Sequence, residues 1–142
     1  MAKQIVIATH ALLARGFEEA LRLIYNPADN VHVICGFTEA PNPGEAFDEI
    51  FAAFSEDDIV IVMTDLVGGS VNNQIAERLR DKKFFLISGI NLAVLLELAC
   101  CSEQDLNEDY IRKVVALGKE NLVFINDKLK ENTQDQSEDS FL

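Results

Sequence analysis

Apolar residues along this chain follow two alternating rhythms. Short unbroken runs, Ile5-Val6-Ile7-Ala8, Val31-His32-Val33-Ile34-Cys35, Ile59-Val60-Ile61-Val62-Met63 and Phe84-Phe85-Leu86-Ile87, have the length and composition of strands buried on both faces. Between them, apolar positions recur at spacings of three and four. Leu13, Phe17, Leu21 and Ile24 make one helical face, Phe47, Ile50, Phe51 and Phe54 a second, and Ile75, Ala76 and Leu79 a third within a helix predicted over 69–81. Arg78, Arg80, Lys82 and Lys83 gather at the end of that helix, where its dipole favours cations. Alternating strand and helix predict an α/β fold with an open, doubly wound sheet of four parallel strands.

The punctuation agrees. Asn26-Pro27-Ala28-Asp29-Asn30 is a turn, and Asn42-Pro43-Gly44-Glu45 starts a helix, with Asn42 as N-cap and Pro43 at the first helical position. Leu92 to Cys101 is an almost wholly apolar helix, suited to the core or to a subunit interface. Asp105 to Lys119 is amphipathic, with Asp105 as a candidate cap. Leu122-Val123-Phe124-Ile125 reads as a short fifth, C-terminal strand, parallel or antiparallel to the rest. Left alone it would present a hydrophobic sheet edge; exchange between two identical chains would cover both it and the apolar helix, so a homodimer is expected. The expected layout is one domain over 1–127 and an acidic, disordered tail over 128–142.

Composition narrows the function. At 142 residues and 49% apolar content the chain supports one core. Twenty-four acidic against twelve basic residues give a net charge of −12, which argues against nucleic acid and anionic membranes and favours a basic protein partner. No apolar run approaches about eighteen residues and no signal peptide opens the chain, so a cytoplasmic protein is expected. Cys35, Cys100 and Cys101 lack the spacing of a disulfide framework or a metal site, and read as buried free thiols.

Candidate chemistry lies where parallel strands end. Three loops, Thr9-His10-Ala11, Asp65 to Ser70 and Gly89-Ile90-Asn91, share the carboxyl edge at which open α/β sheets bind ligands. An imidazole there can attack phosphorus, and a carboxylate bonded to one ring nitrogen fixes the tautomer so that the other presents its lone pair; Asp65 is the candidate for that role beside His10. Gly68, Gly69 and Ser70 permit a tight turn whose N–H groups and hydroxyl suit an anion. Thr9, Thr64, Phe37 and Asn91 complete a candidate pocket on that edge. His32, alternating with Val31 and Val33, has no such company. A hydrolase triad is disfavoured because Ser70 lacks the G-x-S-x-G elbow, zinc because ligand spacing is absent, and nucleotides because neither phosphate-loop nor dinucleotide fingerprint occurs.

Taken together, Ile5-Val6-Ile7-Ala8-Thr9-His10, Asp65-Leu66-Val67-Gly68-Gly69-Ser70 and Ser88-Gly89-Ile90-Asn91-Leu92 stand in an order and spacing that resembles enzyme IIA of the mannose/fructose/sorbose class of the bacterial sugar phosphotransferase system, over about residues 3 to 127. The resemblance implies a homodimeric phosphoryl carrier without cofactor or metal. His10 would accept phosphate on Nε2, the nitrogen facing away from Asp65. The donor would be the histidine-containing phosphocarrier protein and the acceptor enzyme IIB, which serves membrane permease components. Members often carry glycine after the histidine and proline after the serine, where this chain has Ala11 and Val71, changes expected to reshape the pocket mouth. The chain ends without a linker and IIB domain, as a free-standing subunit would. Two rivals are the related phosphocarrier domain serving dihydroxyacetone kinases and a non-enzymatic regulatory or flavin-binding domain of flavodoxin-like architecture. A receiver domain of the latter kind would show an acidic pair where this chain has Thr9-His10.

Overall fold

A computed structural model of the chain describes residues 1–26 and 30–134. Four strands, β1 (Lys3–His10), β2 (Val31–Gly36), β3 (Ile59–Thr64) and β4 (Phe85–Ser88), form one all-parallel sheet in the order β2-β1-β3-β4. The chain steps from β1 outward to β2, then crosses back over β1 to β3. The order therefore reverses between β1 and β3, and the crevice for a ligand lies beyond their carboxyl ends.

Both faces of the sheet are covered, which explains the unbroken apolar runs. Ile5 and Ile7 of β1, with Ile61 and Met63 of β3, join a core with Ala14 and Leu21 of α1 (Leu13–Ile24), Val94, Leu95 and Leu98 of α4 (Leu92–Cys100) and Val114 of α5 (Glu108–Lys119). The residues between them, Val6, Ala8, Val60 and Val62, face Phe47 of α2 (Pro43–Ala52) and Val71 and Ile75 of α3 (Ser70–Ala76). Period-two alternation thus sends every second side chain to each helical layer. The phenylalanine stripe is core, with the rings of Phe47 and Phe84 5.0 Å apart. As expected, Asn42 caps α2, its Oδ1 accepting the Glu45 N–H at 3.1 Å.

Some expected elements differ. The helix predicted over 69–81 is α-helical only to Ala76 and tightens into a 3₁₀ turn over Glu77–Arg80. There Arg78 turns to α2, its Nε and Nη2 each donating to the Asp48 carboxylate at 3.0 Å while Nη1 donates to the Gln74 carbonyl. Asp105 does not cap α5. It ends a 3₁₀ turn, and Asn107 is the cap, accepting from the Tyr110 N–H at 2.9 Å.

The fifth strand does not form in the described chain. Leu122, Val123 and Phe124 are irregular and exposed, Leu122 by 92%, and Ile125 opens α6 (Ile125–Gln134). A four-residue run with no sheet edge beside it gains no ladder bonds, whereas Lys128, Leu129, Lys130 and Glu131 are strong helix formers that draw Ile125 into their helix. α6 also crosses the expected boundary at 127/128. The remainder of the expected tail, 135–142, and the centre of the expected turn, 27–29, lie outside the described residues.

Candidate functional site

The site begins with a mismatch in strand length. β1 stays paired with β2 as far as His10, opposite Gly36, but its last partner on β3 is reached two residues earlier, where Ala8 faces Thr64. The His10 N–H therefore has no strand carbonyl on the β3 side, and the carboxylate of the next residue, Asp65, takes its place. Asp65 Oδ2 accepts from the His10 backbone N–H at 2.9 Å and stands 2.9 Å from His10 Nδ1. Oδ1 accepts from the Leu66 N–H at 3.0 Å. A carboxylate can only accept here, so Nδ1 carries the proton and Nε2 presents its lone pair. Ser70 Oγ lies 3.3 Å from Nε2, positioned to donate to it.

Burial and exposure divide the pair. The Asp65 side chain is 9% accessible and that of His10 is 41%. Burial pushes the Asp65 carboxyl pKa upward, but hydrogen bonds from the His10 backbone and ring oppose it, and the group is held below its ordinary value. Asp65 is thus a fixed anion behind an accessible imidazole.

The glycine turn follows from its geometry. Gly68 has φ 75°, a left-handed conformation that side chains disfavour, and its carbonyl accepts from Asn73 Nδ2 at 3.1 Å. At Gly69 a Cβ would stand 3.2 Å from the Leu66 Cβ and 3.3 Å from the Leu66 carbonyl oxygen, so glycine lets the turn close on Leu66, with His10 Cε1 at an ordinary contact distance of 3.5 Å. The turn then feeds Ser70 into α3.

The other pocket candidates are placed differently. Thr9 and Thr64 are fully buried. Thr9 Oγ1 accepts the Ala14 N–H at 2.7 Å and so anchors α1. Thr64 Oγ1 donates to Asn72 Oδ1 at 2.8 Å and lies 2.9 Å from Ser88 Oγ, tying β3 to α3 and β4. Asn91 caps α4 through the Val94 N–H and reaches the Gly118 carbonyl with Nδ2, both at 2.9 Å. These three brace the edge rather than line it. Phe37 does face the site, its ring centroid 5.7 Å from that of His10. Val71 is fully buried in the α2–α3 core, so its departure from the family pattern bears on packing and not on the mouth. His32 bonds Gln4 and lies against Phe54, and burial lowers its pKa.

Sequence reasoning missed two features. Ala11 and Phe37 both have positive φ, 49° and 65°, a strain of order 1–3 kcal/mol each for such residues. They are linked, since the Ala11 N–H donates to the Gly36 carbonyl at 2.9 Å. At Phe37 nothing in composition signals this, whereas at Ala11 the glycine often carried there by the resembling family is a signal. The second is a set of exposed apolar residues, Leu12, Leu13, Leu66 and Val67, in the segments that directly follow His10 and Asp65. Its signal was present: leucine and valine standing in turns, where polar residues usually stand.

Known proteins resemble this chain in sequence and fold. The family described as "PTS system fructose IIA component" matches residues 4–115. The chain is 27% identical over 135 residues to the "PTS system sorbose-specific EIIA component" of Lacticaseibacillus casei, covering 93% of this chain and 97% of that protein. Its fold is similar to that of a putative phosphoenolpyruvate-dependent sugar phosphotransferase system permease from Klebsiella pneumoniae, with TM-score 0.82, 28% identity and coverage of 91% and 95%. It is also similar to phosphotransferase system component EIIA from Streptococcus agalactiae, with TM-score 0.70, 26% identity and coverage of 87% and 98%. A parallel sheet whose switch-point crevice holds a carboxylate-bound histidine, together with a family match across most of its length, establishes that this chain belongs to the mannose/fructose/sorbose-class enzyme IIA family of the bacterial sugar phosphotransferase system.

Proposed function

We propose that the chain is a phosphoryl carrier that takes phosphate onto His10 Nε2 from the histidine-containing phosphocarrier protein and passes it to a histidine of enzyme IIB. The observation that carries this is the double hold of Asp65 Oδ2 on the backbone and Nδ1 of His10, which leaves Nε2 as the reactive nitrogen. The Nε2 lone pair forms the new N–P bond as the donor's N–P bond breaks, and the donor imidazole keeps that electron pair. The Nδ1 proton stays in place, and the ring, cationic while phosphorylated, is balanced by Asp65. Ser70 and the Gly68 N–H are assigned to the phosphoryl oxygens, while the Gly69 N–H closes the turn by donating to the Leu66 carbonyl at 3.1 Å. The protein's contribution is positioning and charge stabilisation.

The surroundings suit a protein donor. His10 is accessible, and the exposed set of Leu12, Leu13, Leu66 and Val67, with Val67 81% exposed, offers the apolar centre of a transient interface. Among the described residues no helix is long and apolar enough to cross a membrane, and we place the transfer on the cytoplasmic side. We further assign the carrier to residues 1–127, and a homodimer to the working form because Leu122, Phe124 and Ile125 remain exposed, as do Leu117 and Leu129.

Intact-mass measurement after incubation with phosphoenolpyruvate, enzyme I and the phosphocarrier protein tests the reading. The wild-type chain should gain one phosphoryl group and His10→Gln none. Phosphate retained by that variant, or mapped to His32, refutes the assignment.

A further inference from the structure

We infer that Phe37 is a positioning residue for His10, its ring held by the β2–α2 loop against the imidazole so that Nε2 keeps its aim. This role rests on the carrier reading above, and a conformational misfit points to it. Phenylalanine adopts a left-handed φ of 65° here and is nevertheless 48% exposed. Glycine or asparagine would take that conformation at lower cost. Nor does the core require the ring, since Phe37 belongs to neither apolar cluster. What the ring touches is His10, at a centroid separation of 5.7 Å and an interplanar angle of 41°.

The loop that carries it is built to hold still. The Phe37 N–H donates to the Ala40 carbonyl at 2.8 Å, and the Ala40 N–H donates to the Cys35 carbonyl at 3.0 Å. Thr38 Oγ1 donates to the Cys35 carbonyl at 3.0 Å, and Glu39 pairs with Arg15 of α1. The Ala11 N–H, next to His10, donates to the Gly36 carbonyl at 2.9 Å. The residues flanking the imidazole on β1 and facing it from β2 are therefore joined through the backbone. Asp65 fixes one point of the ring, Nδ1, and leaves it able to rock about that bond. A neighbouring aromatic ring on a rigid loop restricts the rocking, and in-line attack at phosphorus demands such restriction.

The test separates ring from backbone by replacing Phe37 with Tyr, Ala and Gly. Stability should follow φ, with Gly the most tolerated of the small replacements. Phosphoryl transfer from the phosphocarrier should follow the aromatic ring instead: Tyr keeps most of the rate, while Ala and Gly both fall about tenfold in the rate at saturating donor. A merely structural residue would make transfer rank with stability, and that ranking, or Ala and Gly transferring within twofold of wild type, overturns the inference. A second readout needs no phosphate. In the unphosphorylated protein, NMR signals of the His10 ring should shift and broaden in Phe37→Ala and return in Phe37→Tyr. Unchanged ring signals in Phe37→Ala overturn the positioning role even if wild type takes no phosphate, a result that would by itself sink only the carrier reading.

Discussion

Replacing Asp65 with asparagine changes charge and proton order with almost no change in shape. The wild-type carboxylate accepts three N–H groups: two on Oδ2, from His10 backbone and ring, and one on Oδ1, from Leu66. Asparagine has one acceptor oxygen. If it faces His10, the amide NH₂ confronts the Leu66 N–H, and if it faces Leu66, the NH₂ confronts both His10 donors. The first arrangement is the less costly, because the Leu66 contact is solvent-accessible. The fold and the His10 rotamer should therefore survive while the anion behind the ring is lost.

The magnitude follows from that loss. Full Coulomb attraction between unit charges at about 4 Å is roughly 4 kcal/mol at an effective dielectric of about 20, but the phosphoryl dianion on the same ring and solvent at an accessible imidazole reduce it. The net value of a hydrogen bond to a charged group, about 1.5–3 kcal/mol, is the better guide. At about 1.4 kcal/mol per decade, phosphoryl transfer should slow by roughly 10- to 150-fold. Rapid-quench measurement with radiolabelled phosphocarrier reads this directly. Because the Asp65 pKa is held below its ordinary value, the carboxylate stays ionised from pH 5 to 8, and its own titration adds no pH dependence to the deficit across that window. The stability contribution carries the sign of a depressed acid: present above about pH 3.9, the unfolded value, and lost as pH falls through the lower folded value. The gap in unfolding free energy between wild type and variant should accordingly close in acid. Transfer within twofold of wild type at pH 7 would remove Asp65 from the mechanism.

Ala11→Gly should stabilise the chain by roughly 0.5–1 kcal/mol, the left-handed strain of about 1–2 kcal/mol less the extra unfolded-state freedom of glycine; thermal or urea unfolding measures it, and a destabilised variant refutes the account of φ 49°. With a net charge of −12, association with a basic donor should slow steeply as salt rises past a Debye length of about 10 Å at 0.1 M, whereas a salt-independent rate would leave the exposed apolar residues after His10 and Asp65 as the whole of the docking energy. Light scattering should give about twice the 15.8 kDa chain mass at micromolar concentration, and truncation after Glu120 should weaken assembly; a wild-type monomer disproves the dimer, and undiminished assembly after truncation frees Leu122–Ile125 of any part in it.

The sheet was legible because β-branched residues buried on both faces leave few alternatives: the runs Ile5 to Ala8 and Ile59 to Met63 are too short and too uniformly apolar to suit a surface helix. His10 and Asp65 could be paired for a related reason, since parallel strands all end at one edge. That β1 and β3 are neighbours, with β1 the longer by two residues, depends on crossovers and register that local patterns do not encode. Hydroxyl direction was equally hidden. Thr9 and Thr64 stand at the edge by position, but each turns inward to satisfy a buried partner, the Ala14 N–H or Asn72 Oδ1. Asn91 belongs to the same class, its polarity spent on the cap of α4 and the end of α5. The run at Leu122 misled because four apolar residues suit strand and loop alike, and only the helix formers after Asp127 tip the balance.

The hold on His10 shows why the fold, more than the exposed loop residues, sets the chemistry. One oxygen, Asp65 Oδ2, bonds both the backbone N–H and ring Nδ1 of the same residue, so the imidazole is referenced to the end of its own strand. That strand end is in turn fixed by pairing with Gly36, and Asp65 by its place directly after Thr64. The Nδ1 end of the ring therefore inherits the rigidity of the sheet, and Phe37 stands against the ring where rocking about that bond would carry it. The exposed loop residues that follow His10 and Asp65, Leu12, Leu66 and Val67, are then free to differ with the partner they meet while Nε2 keeps its direction. Such a division suits the proposed carrier role, in which one nitrogen is presented alike to a donor and to an acceptor.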